Sequence, residues 1–238
     1  KKLISHLTSL LRHRGPDAEN IYISSNKRLF LGHTRLSIQD LSNKGSQPME
    51  IENGRFVISF NGEIYNHYEL RKSLKYKWKS NCDTETLLIC FEEWGITETL
   101  NQIDGMFAII LYDKLLQKII LIRDRYGEKP LYYGEVNGDI IFSSELKVFT
   151  KYPNFNNKIC KDAVINYLKY NFIPSPYTIF ENILKINQGS MIEYDLNKKK
   201  DLKECNQIEW FNPNSLIDKN YHNELNSCNE IELIQKCE

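Results

Sequence analysis

The chain has 238 residues, with 31 Lys plus Arg balanced by 31 Asp plus Glu, 41% hydrophobic residues, 12% aromatic residues and six cysteines. That composition suits one large soluble domain, or a domain with an appended fragment, and the zero net charge offers no field to hold nucleic acid or an anionic membrane. The cysteines (Cys82, Cys90, Cys160, Cys205, Cys228, Cys237) form no CxxC pair and no signal peptide opens the chain, so the expected setting is reducing and cytoplasmic rather than that of a secreted disulfide scaffold.

Leu3, Leu7, Leu10 and Leu11 at helical spacing predict a core-facing helix over Leu3 to Leu11, stopped by Gly15-Pro16 after Arg12-His13-Arg14. Short β-prone runs follow at Ile21 to Ser24, Leu29 to Thr34 and Phe56 to Phe60. Asn66 and Glu69 have capping-box spacing for a helix over His67 to Leu74. A second amphipathic helix is predicted over Thr84 to Trp94, closed by Gly95. Met106 to Tyr112 and Lys118 to Arg123 read as consecutive buried strands, followed by a hairpin of Leu131 to Gly134 and Asp139 to Phe142 over Asn137-Gly138. The apolar runs Phe107 to Tyr112 and Ile119 to Ile122 fall far short of the ~18 residues that span a bilayer. Antiparallel sheets with interspersed helices predict an α+β layered domain. From Asn197 the chain turns polar, with six Lys against eight Asp plus Glu to the end, so a boundary is placed at 196; Glu230 to Cys237 reads as the start of another helix.

The five histidines (His6, His13, His33, His67, His222) form no HxH or HxxxH pair, so no metal site is expected. Neither GxGxxG nor GxxxxGK[ST] occurs, so no nucleotide loop is expected. Phe60-Asn61-Gly62-Glu63 is more informative. A strand ending in Asn-Gly can aim a side-chain amide and a backbone N–H at one point, the geometry of an oxyanion hole; an ordinary hairpin turn is the other reading. Arg35, at the end of an apolar run, can fork a carboxylate or join a structural ion pair. Asp83 can cap the helix that follows it or bind an ammonium group.

Eight motifs stand in register: Arg12-His13-Arg14-Gly15-Pro16-Asp17, Gly32-His33-Thr34-Arg35-Leu36-Ser37-Ile38, Gln47-Pro48, Asn61-Gly62-Glu63-Ile64-Tyr65-Asn66, Cys82-Asp83-Thr84-Glu85, Asp104-Gly105-Met106-Phe107-Ala108, Arg123-Asp124-Arg125-Tyr126-Gly127 with Lys129-Pro130-Leu131, and Ser143-Ser144-Glu145. Together they resemble the glutaminase (class II glutamine amidotransferase) domain of the asparagine synthetase family, over about four fifths of the chain. The resemblance implies a four-layer αββα N-terminal-nucleophile hydrolase fold across residues 1–196, with 197–238 as linker and the start of an ATP-dependent synthetase domain. It implies hydrolysis of glutamine to glutamate and ammonia by an N-terminal cysteine thiolate whose α-amine handles the protons. Asn61 and the Gly62 N–H would stabilise the oxyanion, Arg35 would pair the α-carboxylate, and Glu63 and Asp83 would hold the α-ammonium. None of the six cysteines matches the family's nucleophile, which opens a short strand ahead of the first helix; Cys82 is the nearest thiol and lacks a free amine. The chain alone is therefore expected to be inactive.

No cofactor is expected in this domain; ATP and magnesium would act in the synthetase domain, which with glutamine is the expected partner, and a homodimer is one assembly the resemblance allows. The acceptor would be aspartate, making asparagine. A relative that amidates a sugar acid in bacterial surface-glycan synthesis is an alternative, and so is a non-catalytic binding module of the same fold.

Overall fold

A computed structural model describes residues 1–198, 205, 207–216, 228, 229 and 232. Helix α1 (Lys2–Ser9) leads through a 3-10 turn over Arg12–Arg14 into the antiparallel pair β1 (Ala18–Ile23) and β2 (Phe30–Arg35). Then come β3 (Met49–Glu50), β4 (Phe56–Ile64), α2 (His67–Ser73), α3 (Asp83–Gln102), β5 (Gly105–Asp113) and β6 (Lys118–Arg123). The hairpin β7 (Tyr132–Val136) and β8 (Asp139–Ser143) turns over Asn137 and Gly138, both at positive φ as a two-residue hairpin loop requires. Helices α4 (Lys147–Thr150) and α5 (Lys161–Tyr170) and strands β9 (Ile183–Lys185), β10 (Ser190–Asp195) and β11 (Ile208–Glu209) follow, with further 3-10 turns over Asn43–Gly45 and Pro213–Leu216.

One layer is a six-stranded antiparallel sheet in the order β11-β10-β6-β5-β4-β3. The facing layer is split into β1-β2 and β8-β7-β9. Strand alternation explains why both faces of the six-stranded sheet are dry. Ile58, Phe60, Phe107, Ile109, Ile120 and Ile122 join Leu87, Leu88 and Phe91 of α3 in one core, whereas Val57, Ala108, Tyr112, Ile119 and Leu121 join Leu31, Leu131 and Tyr133 in the other. Emptying one of these positions, as in Phe107→Ala, costs about 3–5 kcal/mol. Helix α1 covers β2 and α4 covers β8, so the order of layers is helix, sheet, sheet, helix. Gly32 permits the close approach of α1, because a Cβ there would overlap the Thr8 side chain.

Three local expectations need correction. Phe60 does not end its strand: β4 runs on through Asn61-Gly62-Glu63, paired residue by residue with β5, so no Asn-Gly turn forms. Asn66 stands at the N-cap of α2 without capping it; its amide instead donates to Gln102 O (2.8 Å) and accepts the Asp104 N–H (2.9 Å), tying the end of α3 to the start of α2. Gly95 breaks the helical path at φ 77° as expected, but helix resumes beyond it and continues to Gln102.

Beyond position 196, residues 207–211 return to the sheet: β11 pairs with β10, and Trp210 stacks on Phe107. Residue 232 apart, the helix expected over Glu230 to Cys237 lies outside the described residues. Among the described residues no helix is long and apolar enough to cross a membrane.

Candidate active site

Alternation along β4 also builds the site. Val57 faces the inner core, and the next residues with the same facing are Ser59, Asn61 and Glu63. A polar run on a face that is otherwise apolar, between two sheets, marks a place where the interior is not built for packing alone.

The backbone of β4 sorts itself by the same parity. Phe107 turns its N–H (3.2 Å) and C=O (2.9 Å) to the side chain and backbone of Asp124, away from β4. Gly62 lies opposite Phe107, so its own N–H faces away from β5 as well. On that edge the Phe60 N–H donates to Gln47 Oε1 (2.6 Å) and the Ile64 N–H to Asp83 Oδ2 (3.0 Å). The Gly62 N–H lies between them. A Cβ at Gly62 would collide with the Met106 carbonyl, which fixes glycine there. The Asn61 Nδ2 is buried without a hydrogen-bond partner. An unpaired buried amide is costly in a folded chain and is the kind of donor a ligand oxygen would satisfy.

Arg35 closes β2. Its guanidinium donates to Ser42 O (2.7 Å) and to Asp40 O, and a Cβ on Gly45 would strike it, so the loop from 40 to 45 is wrapped around this one side chain. The Arg12-to-Asp17 motif braces the same strand end: Asp17 accepts the Ser37 N–H (2.7 Å) and donates its own N–H to Arg35 O (3.0 Å). Hydrogen bonds from Ser42 and Asn81 hold the Asp40 carboxyl down to about 2.

Asp83 opens α3 and is buried. Burial, together with the nearby Glu63 charge, pushes its pKa up to about 6 against the opposing hydrogen bond from Ile64. Its carboxylate reaches across to β4, beyond the role of a helix cap. Glu63 accepts from Gln39 Nε2 (3.1 Å).

Arg35, Asn61, Gly62, Glu63 and Asp83 thus line a single cleft of about 1110 Å³ between the two layers. Strands β2 and β8 also line it, and among the described residues each pairs on one side only. Cys82 borders the cleft but is buried, its thiol pushed up by that burial and set 3.0 Å from Ser80 Oγ.

Two site residues were not visible as such in the sequence. His33 places Nε2 3.2 Å from Phe60 O, and burial lowers its pKa to about 4, so a neutral ring donates to the strand just before Asn61. Gln47 holds the Phe60 N–H and the Thr84 hydroxyl (3.1 Å) at once. Both sit inside the quoted motifs, but neutral side chains bridging distant segments leave no periodic signal.

The likeness to known proteins extends over most of the chain. Residues 1–205 match the model of a glutamine amidotransferase domain. Asparagine synthetase [glutamine-hydrolyzing] 1 of Bacillus subtilis is 35% identical over 193 residues, covering 80% of this chain and 30% of the relative. Asparagine synthetase B [glutamine-hydrolyzing] of Escherichia coli is 40% identical over 150 residues, 62% of this chain and 26% of the relative. The chain therefore spans well under half the length of these curated relatives. Among solved structures, glutamine phosphoribosylpyrophosphate amidotransferase from B. subtilis superposes with a TM-score of 0.62 over 88% of this chain and 46% of that one, at 14% identity, a likeness of fold. With the family model matched over most of its length and an αββα architecture around the matched motifs, the chain belongs to the glutamine amidotransferase domain family.

Proposed function

We propose that this domain hydrolyses the side-chain amide of glutamine to glutamate and ammonia, as the glutaminase part of a glutamine-hydrolysing asparagine synthetase. One observation carries the reading: a cation, two carboxylates and an unpaired amide donor face one cleft. A free amino acid has a carboxylate and an ammonium on one carbon, and each pole needs its opposite. Arg35 takes the α-carboxylate, Glu63 and Asp83 take the α-ammonium, and the side-chain amide then extends toward Asn61 and Gly62.

The nucleophile that the family resemblance implies is a cysteine thiolate, which none of the six cysteines of this chain matches. It adds to the amide carbon, and the developing oxyanion receives hydrogen bonds from Asn61 Nδ2 and the Gly62 N–H. The C–N bond breaks as the nitrogen takes a proton and leaves as ammonia, and water then cleaves the thioester to glutamate. Cys82 is a poor substitute, since burial keeps its thiol protonated.

The asparagine synthetases among the relatives favour aspartate as acceptor for the ammonia. ATP and magnesium serve that amide-forming step in the synthetase part. Among the described residues no three His, Cys, Asp or Glu side chains gather as a cation site. The test is to assay glutamate release and asparagine formation by the complete protein that carries this domain. Glutamine hydrolysis that survives Arg35→Ala, Asn61→Ala and Asp83→Ala alike would sink the assignment.

A further inference from the structure

The groups that would read the two poles of glutamine sit on separate elements: Arg35 on β2, Glu63 on β4 and Asp83 on α3. Packing alone leaves the distance between such side chains free to vary. The dipeptide Gln39-Asp40 touches all three. Gln39 Nε2 donates to Glu63 Oε1 at 3.1 Å while its Oε1 accepts the Asp83 N–H at 3.3 Å. Those partners fix which way the amide faces, because an ionised carboxylate only accepts and an N–H only donates. Asp40 accepts the N–H groups of Ser42 (2.8 Å) and Asn81 (3.0 Å), and its carbonyl accepts from Arg35. Gln39 also lines the cleft beside the two acids.

We propose that Gln39 is the positioning residue that sets selectivity for the α-ammonium group, by clamping Glu63 to the first turn of α3 so that both carboxylates face one cation. This rests on the glutaminase reading above. An apolar side chain at 39 would free the Glu63 carboxylate to rotate and leave the Asp83 N–H without its partner. The carboxylate pole at Arg35 and the oxyanion pair at Asn61 and Gly62 would stay as they are.

The test compares two substrates in the complete protein that carries this domain. Glutamine has both poles; glutaramate has the same carboxylate and the same terminal amide without the α-ammonium. Gln39→Ala and Gln39→Met, the second preserving length and volume, should each raise KM for glutamine about tenfold with kcat little changed, the size of one lost hydrogen bond to a charged group. Their kcat/KM for glutaramate should stay at the wild-type value. A parallel fall for both substrates would assign Gln39 a merely structural role, and wild-type behaviour of Gln39→Met on both would show that the clamp does nothing; either overturns the proposal. If the wild type itself hydrolyses no glutamine, or shows no preference for it over glutaramate, the glutaminase reading fails first and takes this inference with it.

Discussion

Two arginines and two aspartates in this domain are alike in burial and differ in what they do. Arg35 and Arg123 each end a strand, each belongs to a motif, and they are 8% and 7% exposed. Burial does not separate them; counting donors does. A guanidinium has five N–H groups. Arg123 engages four, on Lys129 O (2.8 Å), Ser175 Oγ (3.3 Å), Ile186 O (2.7 Å) and Gly127 O. Arg35 engages two, both on the loop that encircles it, and has the rest available to the cleft.

The carboxylates repeat the contrast. Asp124 accepts four backbone N–H groups, from Tyr126 (3.1 Å), Glu128 (2.9 Å), Phe107 (3.2 Å) and Lys129 (2.9 Å), which fills its lone pairs. Asp83 accepts from Ile64 and from its own helix, and burial drives its pKa to about 6. A saturated buried group folds a loop. An unsaturated one, turned to a cleft, is available to a ligand.

The largest effect expected from this contrast is on stability. Asp124→Ala strips the loop from 124 to 129 of its organising acceptor, leaves four backbone N–H groups without their partner and removes the negative charge that favours ionised Arg123. It should cost about 3–5 kcal/mol, read as a lowered denaturation midpoint. A midpoint close to wild type would mean that the saturated and unsaturated groups are not different in kind.

Next comes Asn61→Ala, whose cost should fall on turnover. Losing one oxyanion donor should remove about 2.7–4 kcal/mol of transition-state stabilisation, seen in kcat with little change in KM. Its midpoint should hold, since the amide has no partner in the folded chain to lose. An unchanged kcat would break the oxyanion assignment.

Arg35→Lys keeps the charge and loses the planar fork. It should weaken glutamine binding by about 1.5–3 kcal/mol, visible in KM or in glutamate titrations, with a smaller loss of stability from the loop hydrogen bonds to Ser42 O and Asp40 O. If affinity were unaltered, the donors left over on Arg35 would not be serving a carboxylate.

How much of this was legible beforehand follows from what leaves a pattern. The layers were, because Ile119 to Ile122 and Phe107 to Tyr112 carry runs that only a sheet buried on both faces would tolerate. The hairpin at Asn137-Gly138 was, because positive φ restricts the residues that can occupy it. The extent of β4 was not, because Asn-Gly is a turn signal by local chemistry and pairing with β5 overrides it. That override is also why Gly62 presents its N–H outward: the strand's parity does it, rather than a strand end. Asn66 similarly has the spacing of a cap and is taken by Gln102 and Asp104, partners more than thirty residues away. Arg35, Asn61, Glu63 and Asp83 could be nominated from motif resemblance, whereas Gln39, Gln47 and His33 act through long-range hydrogen bonds that no spacing encodes.

The smallest effect, and the one that isolates Asp83, is on pH dependence. Its folded pKa of about 6 lies above the ordinary carboxylate value of 3.8. The folded state therefore holds a proton the unfolded chain has released, so this group's contribution to stability is greatest below pH ~4 and is lost as pH rises toward 6. Ligand binding runs the other way. An ammonium pole needs the ionised carboxylate, so affinity for glutamate or glutamine should climb through pH 5 to 6 and level off above it, by about tenfold per unit (1.4 kcal/mol) on the acid limb. His33 adds no inflection there, since its ring stays neutral down to about 4. Asp83→Asn should abolish the climb and flatten the stability profile over the same interval, because both come from one proton. Should the binding inflection persist in Asp83→Asn, the titrating group would be a different one, and the distinction between an acid saturated by backbone and an acid left for a ligand would have to be drawn elsewhere in the cleft.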